Sequence, residues 1–318
     1  RSKLDYSFLG KYQVYTKEIN FFPIDWPKIF CNNKKLIVEI GFGGGEFLVG
    51  LAKKYPEFNY IGIETSLISC YKIQKKIFTS NLSNIRIILE DARFAVREFF
   101  SDGSIYKVIV NFPCPWPKKK HSKKRLFTGD FIDTLSSVLE PNGEVLLTTD
   151  VQWYAQEVKN GFMRNGCFDV SPLKTNFEMP IKTRYEAKWE TEGRSKFLLI
   201  SRKKSKKPIR RLIEGENILS HKKIKSINLS KLKSLKNYKY KHADTVFFVS
   251  DVYNNCSNPE SNYLLKIFSN DNGFFQSFFI EVSKGNNNWL VKLDDIAKAY
   301  RTPAVKEAVN KIAEELEE

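Results

Sequence analysis

Three acids and a run of glycines carry the first hint of chemistry. Glu39 stands at the end of the apolar run Leu36 to Ile40 and leads into Gly41-Phe42-Gly43-Gly44-Gly45. A strand that runs through glycines at 41, 43 and 45 into a helix brings bare backbone close to a ligand, because the absence of Cβ permits both the tight turn and the approach. The dinucleotide pattern G-x-G-x-x-G fails here, since its third glycine falls on Glu46, where a carboxylate would face a pyrophosphate. An uncharged or cationic ligand part suits the loop better. Glu64 closes the next apolar run about twenty residues later, at the spacing of a ribose-binding carboxylate, and Asp91-Ala92 follows the third run with an acceptor suited to an adenine amino group.

A second constellation is Asn111-Phe112-Pro113-Cys114-Pro115-Trp116-Pro117, followed by the cation run Lys118-Lys119-Lys120-His121-Ser122-Lys123-Lys124-Arg125. Prolines lock the turn, and the cations offer it to a polyanion, which points to chemistry on a nucleic acid. The five cysteines are far apart and without a C-x-x-C pair, and the three histidines lie in basic, polar surroundings. Neither a metal site nor a disulfide framework is signalled, so catalysis must run on carboxylates, backbone dipoles and a cofactor.

The elements that position these residues alternate. Apolar runs at Leu36 to Ile40, Tyr60 to Ile63, Ile85 to Leu89, Tyr106 to Val110, Val145 to Thr148, Phe168 to Val170 and Phe197 to Ser201 are separated by helical patterns at Glu46 to Tyr55, Ser66 to Phe78, Gly129 to Leu139 and Gln152 to Asn165. Such alternation predicts an α/β domain over residues 1–203, a mostly parallel sheet with helices on both faces. With 318 residues and 42% hydrophobic content the chain can bury a full core, and the net charge of +16 favours a polyanionic partner. Fifteen lysines and arginines against three acids between Ser201 and Thr245 predict a basic linker over 204–245. Residues 246–318 then read as a small β-rich α+β domain, ending in an amphipathic helix or two starting near Asp294 and interrupted at Pro303. Its aromatics Phe247, Phe248, Phe274, Phe275, Phe278, Phe279 and Trp289 fit the core of a small sheet better than a base-stacking surface, with the domain expected as an auxiliary clamp on the nucleic acid. No apolar run has the length of a membrane span and no signal-peptide stretch is evident, so a soluble, cytoplasmic protein is expected.

Taken together, Glu39-Ile40-Gly41-Phe42-Gly43, Gly62-Ile63-Glu64, Asp91-Ala92, Cys114-Pro115-Trp116-Pro117-Lys118, Thr149-Asp150 and Thr183-Arg184-Tyr185-Glu186 resemble, in order, the motifs of the bacterial tRNA (guanine-N7)-methyltransferases. These are class I S-adenosylmethionine-dependent methyltransferases. The resemblance covers residues from about 10 to 203 and implies a Rossmann-like fold with a seven-stranded, mostly parallel sheet. It implies S-adenosylmethionine beside Glu39, Gly41, Gly43, Gly45, Glu64, Asp91, Ala92 and Cys114. A tRNA is implied beside Lys118, Lys119, His121, Lys124, Arg125, Asp150, Thr183, Arg184, Tyr185 and Glu186, with Asp150, Glu186 and position 114 as catalytic candidates. No metal is implied, and monomer and homodimer both remain open.

One departure stands out, because Cys114 occupies the place of the family's aspartate. Guanine N7 carries a free lone pair, so methyl transfer needs alignment rather than removal of a proton, and the aspartate's contribution would be electrostatic. Asp150 and Glu186 remain as carboxylates for the adjacent N1–H and N2–H donors of guanine. Two alternatives stay open: an RNA-binding protein that keeps the fold without catalysis, and a methyltransferase acting on an exocyclic amino group, since Asn111-Phe112-Pro113 is faintly similar to Asn-Pro-Pro-Tyr.

Overall fold

The computed structural model describes residues 7–183, 193, 195–216, 220–296 and 298–317. The chain forms two compact units: residues 1–16 with 23–211, and residues 17–22 with 212–318.

The first unit is built on an eight-stranded sheet. In chain order its elements are α1 (Trp26–Phe30), β2 (Leu36–Ile40), α2 (Glu46–Lys54), β3 (Asn59–Glu64), α3 (Leu67–Thr79), β4 (Ile85–Leu89), α4 (Ala92–Phe99), β5 (Ile105–Asn111), α5 (Gly129–Val138), β6 (Leu139–Thr149), α6 (Gln152–Asn165), β7 (Phe168–Val170), β8 (Lys174–Thr175) and β9 (Phe197–Lys203). The strand order is β4-β3-β2-β5-β6-β9-β7, with β8 also on β9. Strands β2 to β6 run parallel, and β9 pairs antiparallel with β6, β7 and β8. Strand β2 is buried along its whole length, as a central strand covered on both faces must be. The helices start where the sequence supplies caps. Ser66 accepts from the Ser69 amide, Asp91 from those of Arg93 and Phe94, and Thr128 from that of Phe131. The turn signal Glu140-Pro141-Asn142-Gly143 falls inside β6, as an irregularity with Asn142 at φ +64° rather than a break.

The second unit begins with β1 (Phe21–Phe22), which pairs with β10 (Gly215–Glu216). Its main sheet has six antiparallel strands: β11 (His221–Ile224), β12 (Lys239–His242), β13 (Thr245–Asn254), β14 (Asn262–Asp271), β15 (Phe274–Lys284) and β16 (Trp289–Leu293), in the order β11-β16-β15-β14-β13-β12. Helices α7 (Leu229–Ser234) and α8 (Pro303–Leu316) supply Leu232, Val305, Ala308, Val309 and Ile312 to the same core as Phe247, Ile267, Phe278 and Val291.

Two expectations are corrected here. Much of 204–245 is not a linker: β11 and β12 form both edges of the six-stranded sheet, and α7 packs into its core. Lysine-rich strands are tolerated because each lies at an edge, where exposed cations discourage pairing with another chain. The last helix starts at Pro303 rather than near Asp294, because proline, which lacks a backbone N–H, suits the first helical turn.

Candidate active site at the carboxyl edge of the parallel sheet

Sheet order reverses between β2 and β5, so their carboxyl ends open a crevice of the kind that holds ligands in α/β folds. The glycine loop leaves β2 here. The Gly41 amide donates to Ile63 O at 2.8 Å and the Gly43 amide to Glu64 Oε2 at 3.1 Å, which stitches the loop to β3. All three expected glycines have positive φ, but for different ends. A Cβ on Gly45 would stand 2.3 Å from Ile73 Cγ1, whereas on Gly41 or Gly43 it would meet nothing within 4 Å. Gly45 is therefore small for packing, and the other two leave an open cradle. Glu46 turns away to Lys76 at 3.1 Å.

Glu39 is 2% exposed. Its Oε1 accepts from Asn111 Nδ2 at 3.4 Å across the β2–β5 pair. Among the described residues, its Oε2 and Asn111 Oδ1 are buried without a partner. Burial pushes the Glu39 pKa up to about 8; the Asn111 hydrogen bond opposes that, and the charge of Glu64 adds to it. Two orphaned acceptors beside an open glycine cradle are an arrangement that a cationic ligand group would complete. At the end of β3, Glu64 accepts from the amides of Thr65 at 2.9 Å and Ser66 at 3.3 Å as well as from Gly43. Oε1 takes the Thr65 and Ser66 amides, whereas Oε2, engaged by Gly43 alone among the described residues, keeps a lone pair for a hydroxyl donor. Asp91 caps α4 and lies 3.4 Å from Arg93 Nη2, with Ala92 the first residue of that helix. The residues fit S-adenosylmethionine: buried acceptors for an ammonium group, an open glycine cradle, and a carboxylate for a ribose.

The turn after β5 is built by contacts distant in sequence. Phe112 and Trp116 have φ of +50° and +45°, a strained conformation for aromatic residues. The Phe112 amide donates to Thr148 O at 2.7 Å. Arg125, expected among the substrate-facing cations, is instead half-buried and engaged within the unit. Its Nε and Nη2 donate to Trp116 O at 3.3 and 3.0 Å and Nε also to Pro115 O, while Nη1 reaches both carboxylate oxygens of Glu157 at 2.8 and 2.7 Å. Glu157 lies on α6, as does Trp153, whose ring the guanidinium also covers at 5.1 Å. The cation run folds into a 3-10 helix, Lys119–Lys124. Lys118, Lys119 and Lys124 are exposed, with the Lys124 ammonium 4.8 Å from the Trp116 ring and the His121 ring at 5.7 Å.

Cys114 is exposed at the tip of the turn. Asp150 follows β6 and is half-buried; the cap position of α6 falls on Val151, with no side-chain cap. Thr183 is described, whereas Arg184, Tyr185 and Glu186 lie outside the described residues. Sequence reasoning missed Glu157 and Tyr154 on α6. The Tyr154 hydroxyl is buried without a partner among the described residues, and burial pushes its pKa up. No spacing pattern links either residue to the Pro-Trp turn. The described residues contain no cluster of three or more histidines, cysteines or acids able to hold a metal ion.

Comparison with known proteins adds a second line. The Methyltransf_4 family of methyltransferases matches residues 33–199. A tRNA (guanine-N(7)-)-methyltransferase of Thermotoga maritima is 42% identical over 308 residues, covering 96% of this chain and 97% of that one. A protein of the same name from Coprothermobacter proteolyticus is 32% identical over 300 residues, covering 93% and 90%. A third, from Oceanobacillus iheyensis, is 37% identical over 174 residues, covering 53% of this chain and 81% of its own. Its unmatched fifth is too short to hold a counterpart of residues 212–318.

Proposed function

The chain belongs to the tRNA (guanine-N7)-methyltransferase family, and on that premise we propose that the carboxyl edge of the parallel sheet transfers a methyl group to N7 of a guanosine in the variable loop of tRNA. The buried acceptor pair Glu39–Asn111 beside the open glycine cradle carries this reading. S-adenosylmethionine, when bound, supplies a methyl group on a sulfonium, an electrophile that needs no metal. Glu39 and Asn111 hold its ammonium end, Gly41 and Gly43 admit it without steric conflict, and Glu64 accepts from its ribose. Asp91 stands by the adenine amino group.

Guanine N7 carries no proton, and its free lone pair becomes the new N–C bond as the methyl–sulfur bond breaks and that bond's electron pair leaves on the neutral thioether. No side chain therefore removes a proton from N7, and alignment is the main contribution. Asp150, with Glu186, accepts from the N1–H and N2–H of the guanine, a donor pair that adenine lacks. The same carboxylates stabilise the positive charge that methylation leaves on the ring. Lys118, Lys119, His121 and Lys124 hold flanking phosphates, which positions the tRNA without reading its sequence. Arg125 acts one step back, keeping the Pro-Trp turn in place.

Incubating the protein with labelled S-adenosylmethionine and unmodified tRNA, then mapping the product nucleoside, tests the proposal. N7-methylguanosine at one variable-loop position is expected, and a methyl group on an exocyclic amine or no product would refute it. In the Cys114→Asp variant the rate should stay within about threefold, because a charge at an exposed position is screened by water.

A further inference from the structure

The six-stranded sheet of the second unit has two faces, and only one is covered. Phe247, Val249, Leu265, Ile267, Phe278 and Ile280 point into the core with α7 and α8. Cross-strand partners share a face, so the alternate residues form the other one. Lys239, Phe248, Phe268 and Ser277 make one row across β12, β13, β14 and β15, and Lys241, Val246, Asn270 and Phe275 make the next. Lys266 and Phe279 make a third.

Phe275 is 73% exposed, Tyr253 47% and Phe268 45%. Isolated exposed aromatics need no explanation, and lysines on edge strands alone protect against aggregation. Here the two share rows, with the open rings on the interior strands β14 and β15, where protection of an edge gives no reason to leave them exposed. The charge on the face is biased as well. Asp251 pairs with Lys236 at 3.3 Å and Glu281 with Lys292 at 3.4 Å, whereas Lys239, Lys241 and Lys266 have no carboxylate within ion-pair distance among the described residues. The Lys266 ammonium lies 5.5 Å from the Phe268 ring centroid.

We infer that this face is a stacking platform for unpaired nucleotides of the tRNA: Phe268 and Phe275 take bases, and Lys239, Lys241 and Lys266 take the adjoining phosphates. Flat rings interleaved with cations are what sequence-tolerant binding of single-stranded nucleic acid requires. A relative about two thirds as long, matched over 81% of its length to the first unit, has no room for the platform, so it adds affinity rather than chemistry. The inference rests on tRNA being the substrate.

Binding of unmodified tRNA to the full chain without cofactor tests it, and stays readable even if no methyl transfer occurs. Phe268→Ser/Phe275→Ser should weaken binding at least about tenfold, at unchanged melting temperature. Phe275→Trp should retain binding and Phe275→Leu lose it, since stacking requires a ring. In turnover with the double variant, KM for tRNA should rise at constant kcat. Lys239→Ala/Lys241→Ala should lower the slope of log affinity against log salt by about 0.7 per lysine. Unchanged affinity and slope would overturn the inference. So would loss of a dimer in sedimentation with tRNA affinity intact, which would make the face a contact between two copies.

Discussion

Strands β2 and β5 are neighbours in one sheet, yet the turns that leave them carry backbone strain in opposite ways. After β2, the positive φ values fall on Gly41, Gly43 and Gly45, which adopt them at little cost. After β5 they fall on Phe112 and Trp116, each costing on the order of 1–2 kcal/mol. The first turn places its positive φ on residues that bear it freely and is tied to β3 through the Gly41 and Gly43 amides. The second is held from outside, by Thr148 O on the Phe112 amide and by Arg125 on Pro115 O and Trp116 O. On the proposed reading the division is functional: a low-strain glycine loop binds a cofactor common to many reactions, and a strained turn, held by Arg125 and Thr148, presents the particular substrate.

Gly43→Val should give the largest effect, lowering cofactor affinity by about a hundredfold in calorimetry, because the side chain fills the open cradle. Gly45→Ala sharpens the contrast. Its methyl group meets Ile73, so about 1–3 kcal/mol of folding stability should be lost in denaturant titration while cofactor affinity is kept. On the other turn, Arg125→Ala should lower kcat by roughly ten- to fiftyfold with cofactor affinity unchanged, as a displaced turn misaligns the base. Arg125→Lys should not rescue it, since a lysine cannot reproduce the fork to Glu157. Cofactor affinity falling together with kcat would erase the division between the turns.

The smallest effect concerns Glu39. Its folded-state pKa, about 8, lies above its unfolded value, so the stability it contributes is present at low pH and lost as pH rises toward and through 8. The melting temperature of the cofactor-free protein should therefore fall by roughly a few degrees between pH 5 and 8. Glu39→Gln should flatten that part of the profile. A profile unaltered by the substitution would show that Glu39 is not the group that titrates.

What could be read from sequence divides along the same line. The glycine loop and the strand-end places of Glu64 and Asp91 were legible because missing Cβ atoms and the ends of apolar runs mark them locally, whereas the capping of α4 by Asp91 was not read. Arg125 was misread because a cation in a cation run looks solvated. Its true partner Glu157 lies 32 residues on, across a helix whose pattern gives no reason to pair with it. Strands β11 and β12 were hidden by composition: four-residue segments rich in lysine carry too little apolar signal, and pairings such as His221 with Lys292 span a long stretch of chain. The aromatics Phe247, Phe275, Phe278 and Trp289 were all read as core, which holds for Phe247, Phe278 and Trp289 but not for Phe275. Only register separates the two faces, and register depends on the partner strands.

The pairing of β1 with β10 has a consequence for how the molecule is made. Phe22, fully buried, finds its partner only when Gly215 exists, and at bacterial translation speeds that is roughly ten seconds or more after Phe22 is synthesised. Until then a Phe-Phe pair waits on the nascent chain while the rest of the first unit emerges. No single cut separates the two units: removing the C-terminal part leaves a stranded apolar segment near the start, a ready target for chaperones and proteases.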